Sequence, residues 1–238
     1  MAITRVNQIN PTEHLWPFNA CTCTTTVNVG DLIVALVEFN GNSGDTNVIN
    51  LSVSDNVNSG NYSRIGQAPL PASGATDIIT TFYKVANAAG TPSLVTSTLS
   101  STANFGKISC LTFTGFTGTP TLDTILGVSQ IIVAPSSSVD VFAGITTLQP
   151  NSVAICQLFV QGSFLQPVPA GWTFGQAQFY LYKICPSAGT SLEVSGPYNG
   201  TSTNPGAIYM LSNIYDAPNV PPLGVTYLSA SPGIGGPI

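Results

Sequence analysis

Short apolar runs recur along this chain, and turn residues separate them. Leu32 to Phe39, Ile108 to Phe113, Val153 to Val160 and Ala207 to Ile214 are apolar over most of their length, with Gly, Asn, Pro and Ser filling the intervals. Runs this short, rich in Val, Ile, Thr, Phe and Tyr, predict β-strands. No window combines a 3.6-residue period with helix caps, so the expected class is all-β. Leu32 to Val37 is apolar on both faces, which predicts a central strand covered on each side, whereas Thr80 to Val85 is mixed. A layered antiparallel sandwich follows. Asp55 to Asn61 and Tyr198 to Thr201 are Asn- and Gly-rich turn sequences that suit hairpins.

One block of the pattern occurs twice. Phe82-Tyr83-Lys84-Val85-Ala86-Asn87-Ala88-Ala89-Gly90-Thr91-Pro92-Ser93-Leu94 returns, one residue shorter, as Leu181-Tyr182-Lys183-Ile184-Cys185-Pro186-Ser187-Ala188-Gly189-Thr190-Ser191-Leu192. An apolar run precedes each copy and another follows it, so the chain reads as a duplicated β unit. The halves span about 28–116 and 150–214 within a body of 20–216. Asp31 to Tyr83 covers 52 positions and Asn151 to Tyr182 only 31, and the surplus is expected in loops around 40–55 and 67–77. Ile131 to Val133 and Val139 to Ala143 are read as an extra hairpin or crossover between the copies. No stretch is long and polar enough to separate two independent domains.

The ends differ from this body. Residues 1–19 hold Pro11, Trp16, Pro17 and Phe18 without helical or alternating period, and read as an extended N-terminal arm. Leaving Leu15, Trp16 and Phe18 in water forgoes roughly 1.5–3 kcal/mol for each side chain, so the arm is expected to dock on the body or on a neighbour. Residues 217–238 are rich in Pro and Gly and fit neither helix nor central strand, which predicts a C-terminal arm.

Composition sharpens the picture. Apolar residues make up 43% of the 238, enough for a packed core, and charged residues only 6%, against roughly 25% in an ordinary soluble domain. Disorder goes with the opposite balance. So little charge leaves weak long-range repulsion between copies, which favours assembly. Five Lys and Arg against ten Asp and Glu, with no basic cluster, argue against a nucleic-acid partner. Met1 to Arg5 lacks the apolar core of a signal peptide, and no run of about 18 apolar residues offers a membrane span; synthesis in a host cytoplasm is expected.

Candidate chemistry is sparse. His14 is the lone histidine, and the acidic residues are scattered without the close pair that glycoside hydrolysis needs. Asp55 opens a segment short of a calcium loop, because Val57 stands where a ligand is required. No phosphate-cradling glycine motif is present. The five cysteines, Cys21, Cys23, Cys110, Cys156 and Cys185, read mostly as buried thiols, with the redox state of Cys21 and Cys23 left open. Lys84 and Lys183 hold matching places in the repeated block, facing solvent or pairing as contacts. Tyr62, Tyr83, Trp172, Tyr180, Tyr182 and Tyr198 supply either core or a sugar-stacking platform. No enzyme activity, metal or cofactor is expected.

Gly30-Asp31-Leu32-Ile33-Val34-Ala35, Val53-Ser54-Asp55-Asn56 through Asn61-Tyr62-Ser63-Arg64, Phe82 to Gly90, Cys110 to Phe116 and Thr121-Leu122-Asp123 form a pattern. It resembles a β-sandwich module that recurs in tailed-bacteriophage virion proteins and related bacterial surface proteins. The resemblance, over about residues 28–214, implies a jelly-roll-like body serving as capsid decoration, cement or tail appendage, without a cofactor. The expected partners are other virion subunits, such as a major capsid or tail protein, and further copies in a symmetric homo-oligomer. The expected contacts are Leu15, Trp16 and Phe18 in the first arm and Val220, Leu223, Val225, Tyr227 and Leu228 in the second. A receptor-binding or carbohydrate-binding appendage with a host glycan partner is the alternative.

Overall fold

The computed structural model describes residues 2–18, 20–41, 51–70, 76–97, 103–131, 138–160, 163–165, 168–175, 180–200 and 207–218. Every regular element among them is a strand. The first eight are β1 (Thr4–Phe18), β2 (Thr22–Thr24), β3 (Leu32–Gly41), β4 (Val53–Asp55), β5 (Ser63–Leu70), β6 (Thr76–Val85), β7 (Ser93–Thr96) and β8 (Ala103–Thr114). The next eight are β9 (Thr119–Ile131), β10 (Ser138–Val141), β11 (Ser152–Val160), β12 (Ser163–Leu165), β13 (Thr173–Phe174), β14 (Tyr180–Cys185), β15 (Val194–Gly200) and β16 (Ala207–Ala217).

The strand orders are β1-β8-β3-β6-β5 with β2-β7-β4 in the first unit, and β9-β16-β11-β14-β13 with β10-β15-β12 in the second. Advancing every label of the first unit by eight gives the second. Registers agree as well: Val34 lies opposite Tyr83 as Ile155 lies opposite Tyr182, and Leu32 opposite Phe113 as Val153 opposite Ile214. The repeated Tyr-Lys block therefore occupies one structural place in each unit.

Three apolar clusters show how the sheets stack. One, with Ile33, Ala35, Val37, Phe82 and Cys110 against Cys23, Val53 and Leu94, lies between the large and small sheets of the first unit. Another, with Ala154, Cys156, Leu181 and Leu211 against Val141 and Val194, does the same in the second. The third joins the two large sheets: Leu32, Val34, Leu36, Leu111 and Phe113 meet Val153, Ile155, Tyr180, Tyr182 and Ile214. The layers run small, large, large, small. β3 explains the doubly apolar run, since its odd positions enter the first cluster and its even positions the third.

The central core also carries polar and aromatic contacts between units. The Thr81 hydroxyl donates to Gln157 Oε1 at 2.9 Å, and Gln157 Nε2 donates to the Val37 carbonyl at 3.0 Å. The Arg5 guanidinium sits 5.3 Å from the Tyr182 ring centre, and Phe113 meets that ring edge-on at 5.8 Å. Position 157 replaces the leucine that stands at the matching place, Leu36, so one buried glutamine now reaches the opposite sheet.

Several expectations need correction. Residues 4–18 are an edge strand paired with β8 rather than an extended arm, with Leu15 opposite Phe105 and Phe18 opposite Ala103. The pattern hid this because β1 has register shifts at three places and prolines at 11 and 17, which break the two-residue alternation. Ile131 and Val139 to Val141, expected in an extra hairpin or crossover between the copies, belong instead to β9 and β10, the counterparts of β1 and β2. The surplus length of the first half falls partly in β5, eight residues against two in β13. Segment 42–50 and residues 219–238, with Val220, Leu223, Val225, Tyr227 and Leu228, lie outside the described residues.

The cysteines divide. Cys23 on β2 is disulfide-bonded to Cys110 on β8, tying the small sheet to the large one, while Cys21, Cys156 and Cys185 are buried free thiols. Burial pushes the Cys21 thiol up to about 12 and raises Cys156 and Cys185 as well, so all three stay protonated and poorly nucleophilic. Denatured in air without reductant, the chain should titrate three thiols with a maleimide, and five after reduction. Five thiols before reduction would contradict the Cys23–Cys110 bond.

Candidate functional site

The connection 115–118 is only four residues long, so the last residue of β8 and the first of β9 lie at the same end of the stack. Register brings the start of β3 and the ends of β6 and β8 to that end in the first unit, and the start of β11 and the ends of β14 and β16 in the second. The chain leaves β16 there too. Both units therefore present their described loops side by side at one linker end.

The linker is held by Asp216. Its carboxylate accepts from the Thr117 amide at 2.9 Å, the Thr117 hydroxyl at 2.9 Å and the Gly118 amide at 2.6 Å. Two glycines make the path possible. Gly115 has φ +94°, and a Cβ there would strike the Ala2 carbonyl, while one on Gly118 would strike the Ala217 carbonyl. Beside this clamp is a cleft of about 330 Å³ whose lining includes Gln149, Pro150, Asn151, Tyr215 and Pro218.

The two matched lysines do matched work. Tyr62 immediately precedes β5 and Trp172 immediately precedes β13; Lys84 Nζ lies 5.1 Å from the Tyr62 ring centre and Lys183 Nζ 5.9 Å from that of Trp172. Each ammonium also caps backbone carbonyls, Lys84 those of Asn58, Ser59 and Gly60 and Lys183 that of Ser191. Each aromatic anchors its polar tip: the Tyr62 hydroxyl donates to Asp55 Oδ2 at 2.8 Å and Trp172 Nε1 donates to the Glu193 carbonyl at 2.9 Å. These are cation–π locks on the loop entering β5 or β13.

Tyr62, Trp172, Tyr180 and Tyr182 are all buried, Trp172 to 5% exposure, so their rings are unavailable for stacking on a sugar. Tyr198 lies in β15, and its side chain is outside the described residues. The expected aromatic platform is therefore not assembled from these buried rings. Glu38 and Lys107, the most buried of the Glu and Lys side chains described, stand opposite each other on β3 and β8. No group of three His, Cys, Asp or Glu capable of holding a metal occurs among the described residues. His14 lies on β1 opposite Gly106.

Among its polar turns the linker end exposes three large apolar side chains. Val29 is 67% exposed, Leu148 59% and Val168 40%, and each sits in a turn before β3, β11 or β13. The sequence marks them as single apolar residues inside polar turns: Asn28-Val29-Gly30, Thr147-Leu148-Gln149 and Pro167-Val168-Pro169. Pattern reading passes over them because one apolar residue makes no run. Leu15, Trp16 and Phe18, by contrast, occupy the part of β1 remote from the linker, and their side chains are outside the described residues. Compared with known protein families, with curated proteins and with solved structures, the chain matches none.

Asp55 organises the loop beneath Lys84. Partial burial alone would raise its pKa, but the Asn58 and Val57 amides, the Tyr62 hydroxyl and the Asn58 side chain outweigh this and hold it below the usual carboxylate range. A carboxylate with a depressed folded-state pKa lends stability that is complete above the unfolded value near 4 and disappears as pH falls through the folded value. Asp55→Asn should therefore lower stability by about 1–2 kcal/mol at pH 7, on the scale of lost charged hydrogen bonds. The difference from wild type should shrink below about pH 4. Urea midpoints at pH 7 and pH 2.5 measure it; an equal loss at both would contradict the charged role.

Proposed function

We propose that the chain is a non-enzymatic virion structural protein, a capsid decoration or cement component made of two jelly-roll-like copies of one ancestral unit. The matching strand orders of the two units support the common ancestry. The succession 1-8-3-6 facing 2-7-4 in each, with the fifth strand beside the sixth, supports the jelly-roll-like reading. The observation that carries the role is the exposure of three large apolar side chains, Val29, Leu148 and Val168, in turns at the end where β16 finishes. Apolar groups displayed on turns at the end where β16 finishes suit a surface that seats on another subunit. Weak charge suits dense packing on a particle, and repetition over a symmetric shell multiplies modest contacts.

In this reading Val220, Leu223, Val225, Tyr227 and Leu228 reach the neighbouring subunit, and the linker end faces the particle. Two variants test the proposal: a chain lacking 219–238, and the triple substitution Val29→Ser, Leu148→Ser, Val168→Ser. Both should keep the far-ultraviolet spectrum and melting behaviour of the parent and lose at least tenfold in occupancy on purified particles, quantified by mass spectrometry. Full occupancy of both variants would remove the proposed contact surface.

A further inference from the structure

Among the described residues the sheets end in eight strand edges, and an unprotected edge is a template for another strand. Five edges are short: β2, β4, β10, β12 and β13 have four residues or fewer. β1 is long, but prolines at 11 and 17, the charges of Arg5 and Glu13, and three register shifts interrupt it. β5 carries Arg64, Pro69 and a register shift between Arg64 and Gly66. β9 is different. Pro120, Asp123 and the register irregularity are confined to its first half, and residues 126–131 pair one for one with 212–207 of β16. That segment, Leu-Gly-Val-Ser-Gln-Ile, has no proline and no charge.

The contrast between β1 and β9 is informative because they hold the same position in the two units. One copy interrupts this edge with prolines, charges and register shifts, and the other, among the described residues, carries none of these over residues 126–131. We propose that residues 127–131 of β9 pair antiparallel with the same residues of a second copy, joining two five-stranded sheets across a two-fold axis. A second copy fits because antiparallel pairing of identical segments is self-complementary about such an axis. Centred on residue 129, the axis sets 129 opposite its own mate, 128 opposite 130 and 127 opposite 131, so no like charges meet. The contact spans about 17 Å at roughly 3.4 Å per residue and offers roughly four to six backbone hydrogen bonds.

This deepens the expectation of a homo-oligomer by naming the edge. The full chain is tested by sedimentation equilibrium together with hydrogen–deuterium exchange at two concentrations. The expected species has twice the 24.6 kDa chain mass, and at the higher concentration the amides of 126–131 on the open edge should exchange at least tenfold more slowly while those of 4–18 do not change. Adjacent amides in a strand point to opposite sides, so of Val128→Pro and Ser129→Pro one removes a donor on the open edge and the other a donor facing β16. The open-edge variant should keep its fold and become monomeric. A single 24.6 kDa species at all concentrations overturns the proposal. So does a dimer that survives both prolines. An oligomer protected elsewhere overturns the β9 edge and leaves particle assembly standing.

Discussion

The apolar layer between the two large sheets is the contact on which the rest of this structure depends. Each unit alone would turn a face of Leu, Val, Ile, Phe and Tyr to water, because its small sheet covers just one side of the large one. At roughly 25 cal/mol for each Å² of apolar surface removed from water, exposing that layer would cost either unit much of an ordinary domain's net stability. Pairing the units resolves the conflict. It also dictates the sequence of β3 and β11, where both faces must be apolar for different reasons.

A greasy layer alone would allow many rotations of one sheet on the other. Gln157 restricts the choice, since its amide reaches Thr81 and the Val37 carbonyl across the layer and loses both bonds if the sheets slip. Arg5 over the Tyr182 ring adds a second fixed point from the edge strand. The linker completes the restraint, because Asp216 holds Thr117 and Gly118 at the end where the units meet. Position and orientation are set by a few polar contacts, while the apolar layer supplies the driving force.

Much of this was legible in the residues. Leu32 to Phe39 and Val153 to Val160 announced central strands, and the Tyr-Lys block announced a repeat whose two copies occupy equivalent registers. What escaped was whatever lacks a period. β1 reads as an arm because bulges and two prolines destroy its alternation, and its membership in the sheet depends on β8, about a hundred residues away. β9 and β10 were passed over because the second copy of a weak pattern is weaker than its strong central block. Lys84 and Lys183 were correctly matched, but their work, each resting on the aromatic that enters the next strand, needs the turn geometry. Cys23 and Cys110 gave no sign of pairing, since 87 positions separate them.

The central claim is that one shared core makes two sandwiches a single cooperative body. Scanning calorimetry of the full chain measures this directly, by comparing the calorimetric enthalpy with the van't Hoff enthalpy. The account predicts one transition with a ratio close to 1, and two resolved transitions or a ratio near 2 would contradict it.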